Sequence, residues 1–252
     1  MAQVEVLIMT DRDRFAKAKE SLKDSHDRYN IGTYKEKSQH LLLKLFYEPC
    51  RDYHEVPFEG YVADILNSKG ITEIQTVGFR NLFCKLTVFL KSHPVTVVYP
   101  VEERKRTCWI DPDTGEISVG RYRTYSKAKY KLLSELLSIN ELFDAENLEI
   151  HIVSMAVSSN KALDGYGPQK KKRATKLDTV PDELLDITII KSCDDIRRLL
   201  PFVKGEIVDS KEISSALGLR RIPLWRAIKF LTIKNIIAPV DKKGNSIIYE
   251  VL

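Results

Sequence analysis

The sequence predicts an α/β protein in two parts: a core ordered helix, three strands, helix, strand, then a small helical module closed by a hairpin. Three observations predict it. Leu41, Leu42, Leu45 and Phe46 recur at helical spacing, as do Leu82, Phe83, Leu86, Phe89 and Leu90. Between those stretches lie three short β-like segments joined by glycine-containing turns. Beyond Pro181 the texture changes to three short helical patterns followed by strands.

The elements follow in order. Residues 4–9 are β-like, and 11–27 are polar with only Phe15, Ala16, Ala18 and Leu22 at helical spacing, which predicts a weakly anchored arm or helix. The first core helix follows Thr33 and ends before Pro49. Strands are expected at 54–58, 61–66 and 71–77, with Glu59-Gly60 and Asn67-Ser68-Lys69-Gly70 as turns. A second helix spans 79–92, and a buried strand spans 95–101. Asp111-Pro112-Asp113-Thr114-Gly115 joins two strands of a surface hairpin, 107–110 and 116–119. A helix at 130–142 and a strand at 148–157 lead into 161–181, a basic segment punctuated by Gly and Pro that reads as a linker. The last part has helices at 194–202, 210–217 and 220–235, with Ser210 as N-cap and Gly218 as C′ residue, then a strand, a Lys242-Lys243-Gly244-Asn245 turn and a final strand. Leu224 and Trp225 are expected in its core.

Composition narrows the function. The 252 residues carry 40 basic and 35 acidic side chains, a mild excess of +5 that suits a polyanion without identifying one. Cys50, Cys84, Cys108 and Cys193 lie far apart with no CxxC pair, so neither a zinc site nor a disulfide framework is signalled. No apolar stretch approaches the roughly 18 residues of a membrane span, and no basic-then-apolar leader is present, so a cytoplasmic location away from membranes is expected. Phosphate-loop, GxSxG, HExxH and dinucleotide motifs are absent.

The chemistry-bearing residues sit in the three-strand segment. Glu73 and Gln75 alternate in one strand and project to one face, and a glycine turn brings Asp64 alongside. Two acids in an apolar setting of Ile65, Leu66, Ile71, Ile74 and Val77 are costly unless a cation neutralises them. A hard divalent cation with oxygen ligands does so. Acids alternating with apolar residues are also what one solvated sheet face looks like.

The αβββαβ order with Asp64 and then Glu73-Ile74-Gln75 resembles the PD-(D/E)XK superfamily of restriction-endonuclease-like nucleases, over about residues 33–101. Ala63 stands where that motif has Pro, and Gln75 where it has Lys. The resemblance implies that Asp64, Glu73 and the Ile74 carbonyl hold Mg²⁺, with Mn²⁺ able to substitute, and that Gln75 orients the attacking water. Arg80 or Lys85 on the next helix would supply the positive charge that Gln75 lacks. Members of this superfamily also place a Glu on the first helix, here Glu36; Thr33 and Glu36 equally fit a capping box, and both readings stand. His40 follows one turn later.

The C-terminal layout resembles a winged helix. That resemblance assigns Arg220, Arg221, Arg226 and Lys229 to the DNA groove and Lys242 and Lys243 to the backbone. Lys170, Lys171, Lys172 and Arg173 are further phosphate-contact candidates, as are the cations of Glu102-Glu103-Arg104-Lys105-Arg106. The expected organisation is an N-terminal arm over 1–30, a nuclease-like domain over 31–160, a linker over 161–181 and a winged-helix domain over 182–252. The expected activity is metal-dependent hydrolysis of double-stranded DNA, in restriction or phage defence by family analogy, with a homodimer suited to cutting both strands and RNA left open as substrate. The alternative is a nuclease-fold DNA-binding protein that has lost turnover.

Overall fold

In a computed structural model of the chain, residues 10–28, 38–76, 78–165, 174–244 and 246–252 are described. In chain order the elements begin with α1 (Asp11–Arg28), α2 (Ser38–Tyr47), β1 (His54–Phe58), β2 (Tyr61–Asn67), β3 (Gly70–Ile74), α3 (Leu82–Phe89) and β4 (Val95–Ile110). They continue through β5 (Ile117–Val119), β6 (Arg123–Thr124), α4 (Lys131–Leu136), β7 (Leu148–Ala162) and β8 (Thr175–Ile190). Then come α5 (Cys193–Leu199), β9 (Ile207–Asp209), α6 (Ser210–Leu217), α7 (Arg221–Ile233), β10 (Ile237–Lys243) and β11 (Ser246–Val251). The protein is mixed α/β: the large sheet has strand order β1-β2-β3-β4-β7-β8, with β5 and β6 paired to β4. The β2–β3 pair is antiparallel and the β3–β4 pair parallel. The described chain divides into two compact units, each assembled from three stretches: 1–54, 104–124 and 155–185 in one, and 55–103, 125–154 and 186–252 in the other.

In the first unit, α1 is a docked helix rather than a loose arm. Thr10 and Asp13 cap each other reciprocally at its start, and Phe15, Ala18 and Leu22 are buried while Ala16 is exposed. The Phe15 ring meets Phe46 of α2 edge-on at 5.9 Å. Residues 175–181, expected in a linker, open strand β8 instead. Pro181 obscured this strand. Its missing N–H is tolerated because, among the described strands, β8 ends the strand order. Residues 4–9, Thr33, Glu36 and Lys170 to Arg173 lie outside the described residues.

In the second unit, the β1–β2 turn has both central residues at positive φ, Glu59 at 48° and Gly60 at 80°, the geometry that matches the twist of a two-residue hairpin. Gly70 has φ 124°, and a Cβ there would lie 2.3 Å from the Pro94 carbonyl oxygen, so only glycine fits. β4 runs on past Pro100, which sits beyond the last β3–β4 pair, Ile74 with Val98. The expected helix at 79–92 is a 3₁₀ turn (Phe79–Asn81) followed by α3, and that at 130–142 is α4 flanked by 3₁₀ turns.

The C-terminal module, also in the second unit, runs α5-β9-α6-α7-β10-β11 with sheet order β10-β11-β9. Helix α6 matches the expected 210–217, but its N-cap is Asp209, whose carboxylate accepts from the Lys211 and Glu212 N–H groups, and not Ser210. Gly218 closes it at φ 66°. α7 packs on α4, with Phe230 edge-on to Phe143 at 5.3 Å. Cations satisfy the carbonyls that helix ends leave unpaired. Arg226 donates to the Ser134 carbonyl (2.8 Å) and the Ser138 hydroxyl (2.6 Å), Lys234 to the Asn140 carbonyl (2.7 Å), and Lys127 to the Ser215 carbonyl (2.7 Å). Two expectations are thereby corrected. Arg226 faces α4 and not a DNA groove, because its guanidinium caps that helix. Trp225 is 57% exposed, because Ala227, Phe230 and Leu231 fill the buried face of α7. Among the described residues no helix is long and apolar enough to cross a membrane. Arg226→Met is expected to cost about 1–3 kcal/mol in urea unfolding by orphaning those acceptors, whereas Lys242→Met on the exposed hairpin stays within about 0.5 kcal/mol of the parent.

Candidate functional site

The site forms where the β2–β3 ladder stops. Pairing runs from Asn67 with Gly70 to Ile65 with Thr72, and continuing that register sets Asp64 opposite Glu73. There the two strands exchange side chains instead of backbone bonds. The Asp64 N–H donates to Glu73 Oε1 (3.1 Å), and the Ile74 N–H donates to Asp64 Oδ2 (2.7 Å). The two carboxylates thus share a fork between neighbouring strands, each bracing the other's backbone. A buried backbone N–H without a partner is costly, so this exchange also holds the fork together.

Glu73 is 2% exposed, yet it is charged chemistry in an apolar wall. Lys85 reaches it from α3, with Nζ 2.6 Å from Glu73 Oε2. Burial first, and then the Asp64 carboxylate, push the Glu73 carboxyl from 4.5 up to about 6, against the opposing pull of Lys85. Lys85 thus pairs with the buried carboxylate of Glu73. Glu73 offers about four lone-pair positions, and its two oxygens each accept one of these bonds. This donor chemistry fits a hard cation. Among the described residues no cluster of three or more His, Cys, Asp or Glu side chains forms.

The loop after β3 is held from both sides. The Gln75 N–H donates to the Val98 carbonyl (2.8 Å), and its side-chain nitrogen donates to the Gly78 carbonyl (3.0 Å), so the amide braces the turn into α3. Glu135 of α4 caps that turn by accepting from the Phe79 N–H (3.2 Å), and a Cβ on Gly78 would lie 2.9 Å from the same carboxylate. Glu135 stands 56 positions from Phe79, beyond the reach of any local pattern in the sequence.

The other expected residues divide clearly. Lys85, and not the exposed Arg80, meets Glu73. Glu36 lies outside the described residues, as do Lys170, Lys171, Lys172 and Arg173. Arg104 and Arg106 stack on the Tyr122 ring at 4.9 and 4.7 Å, and Arg106 also donates to Ser158, so both serve the first unit's packing. Arg220, Arg221, Lys229, Lys242 and Lys243 are exposed.

Lys85→Met leaves Glu73 buried without its ammonium and is expected to lose about 2–3 kcal/mol near pH 8. A carboxyl raised on folding contributes stability in full below about 4.5, and that contribution is lost as pH rises through about 6. The deficit of the variant therefore shrinks toward about pH 5, which urea unfolding across that range measures.

Residues 37–191, more than half of the chain, match a family described as "Domain of unknown function (DUF8091)". An uncharacterized protein of Treponema pallidum (strain Nichols) is 27% identical over 227 residues, covering 87% of each chain. No solved structure matches the chain. The matched segment carries Asp64, Glu73, Gln75, Lys85 and Glu135, the whole fork with its supports, and ends before α5. The chain belongs to this DUF8091 family.

Proposed function

We propose that this protein is a divalent-metal-dependent endonuclease acting on DNA, with a restriction-endonuclease-like core and a winged-helix module. The observation that carries the proposal is the Asp64–Glu73 fork: two carboxylates on adjacent strands, one of them buried, with Lys85 as the single cation bonded to Glu73 among the described residues. The order α2-β1-β2-β3-α3-β4, with antiparallel β2–β3 and parallel β3–β4, supports the core reading. The α5-β9-α6-α7-β10-β11 order and the β10-β11-β9 sheet support the winged helix.

In this reading Asp64, Glu73 and the Ile74 carbonyl hold Mg²⁺ or Mn²⁺. The ion supplies an activated water and charge stabilisation on the phosphate. Lys85, rather than Arg80, supplies the protein's own positive charge at the scissile phosphate. Gln75 fixes the loop that sets α3, and with it Lys85, against Glu73. Duplex DNA is the substrate that the winged-helix resemblance favours, and a homodimer would serve to cut both strands.

One observation favours a second reading, a DNA-binding protein without turnover: the Lys85–Glu73 ion pair already compensates part of the buried charge. Plasmid nicking separates the two. Supercoiled DNA with Mg²⁺ or Mn²⁺ is expected to be nicked by the parent protein and to survive with Asp64→Ala or Glu73→Ala, slowed by at least about 100-fold. Retained DNA binding with no metal-dependent nicking by the parent overturns the nuclease and leaves the second reading.

A further inference from the structure

Past its first residue, Arg221, the outward face of α7 does not have the chemistry of a base-edge reader. Arg226 turns inward to cap α4, and of the exposed residues on α7 (Arg221, Ile222, Trp225, Lys229 and Ile233) Ile222, 71% exposed, Trp225, 57% exposed, and Lys229 form one helical stripe three and four residues apart. Lys229 Nζ lies 5.0 Å from the Trp225 ring centroid and steadies the indole. Bidentate readout of base edges uses Arg, Asn or Gln. This stripe offers an aromatic platform instead.

A cationic hollow opens at the start of the same helix, reached through Arg220 and Leu224. It measures about 730 Å³ and is lined by Lys127, Lys211, Arg220, Ser210, Ser214, Ser215, Gly218 and Leu224, with no acid among them. Lys127 commits one donor to the Ser215 carbonyl, and an ammonium has three. Arg220 and Leu224 connect the hollow to the first turns of α7, next to Ile222 and Trp225. A positive groove beside an exposed aromatic ring is how proteins hold unpaired nucleic-acid strands: phosphates track the cations, and bases, each with a π face, stack on the ring.

We propose that the α6–α7 face binds an unpaired strand of nucleic acid, with backbone phosphates in the Lys127–Lys211–Arg220 hollow and a base stacked on Trp225. This rests on the DNA-acting reading above and sharpens it: the preferred substrate carries a single-stranded stretch. Charge complementarity and the indole together select this occupant over an apolar protein partner, which would have no use for the acid-free hollow.

The sequence has two tryptophans, Trp109 and Trp225, so a Trp109→Phe background isolates the reporter. The full chain is titrated with an oligothymidylate of roughly 15 nucleotides, and with a duplex of equal length, in chelator so that no strand is cut. The expected result is quenching of Trp225 fluorescence by the single strand and tighter binding of it than of the duplex. Trp225→Ala weakens binding by about ten-fold while Trp225→Phe stays within about three-fold. Lys211→Ala with Arg220→Ala lowers the log–log salt slope by about 1–2. Binding without quenching, a preference for the duplex, unchanged affinity in Trp225→Ala, or no oligonucleotide binding at all would each overturn the proposal. Because the titration excludes metal, its failure is distinct from failure of the nicking assay, which reads the Asp64–Glu73 fork.

Discussion

The structure turns on a place where two β-strands stop sharing backbone hydrogen bonds. Past Ile65 and Thr72, the N–H groups of Asp64 and Ile74 find their acceptors in the carboxylates of Glu73 and Asp64. Buried backbone donors need partners, so the acids are structural as well as chemical. The same residues that close the hairpin's open end gather negative charge there. Burial makes that charge expensive, which is visible in the raised Glu73 carboxyl, and Lys85 offsets only part of it. The Asp64 and Glu73 carboxylates thus hold the strand ends together, and Lys85 pairs with the buried one of the two.

The supports of that site come from distant parts of the chain. Glu135 caps the turn into α3, and α4, which carries Glu135, is itself packed against α7 and capped by Arg226. The C-terminal module is thus built onto the second unit through helix-end carbonyls and a shared apolar contact, Phe143 with Phe230. Its basic residues are divided between that role and the surface: Arg226 and Lys234 satisfy carbonyls, and Arg220, Arg221, Lys229 and Lys242 face outward, while Lys127, ahead of α4, satisfies the Ser215 carbonyl of α6.

Much of this was legible in the residues, and the exceptions have physical reasons. The three strands, their glycine turns and the Asp64–Glu73 pairing follow from period-two alternation and turn chemistry, which are local, but β3 ends at Ile74 and Gln75, expected to project beside Glu73, braces the loop instead. Helix α6 and its Gly218 stop follow from capping signals, although the choice between Asp209 and Ser210 depends on backbone geometry that spacing does not encode. Strand β8 was hidden because Pro181 and nearby charges read as a linker, and the sheet order places it last among the described strands, where proline is accepted. Glu135 was invisible because its partner, Phe79, is remote in sequence. Trp225 was misplaced because helical periodicity names an apolar stripe without saying which of two stripes is covered. On α7, α4 claims the one with Ala227 and Phe230.

The central claim is that the fork between β2 and β3 grips a divalent ion. A crystal grown with Mn²⁺ and measured at the manganese edge tests it most directly. The account predicts an anomalous peak roughly 2.2 Å from a carboxylate oxygen of Asp64 and of Glu73 together. No peak there, with Lys85 still paired to Glu73, would contradict it.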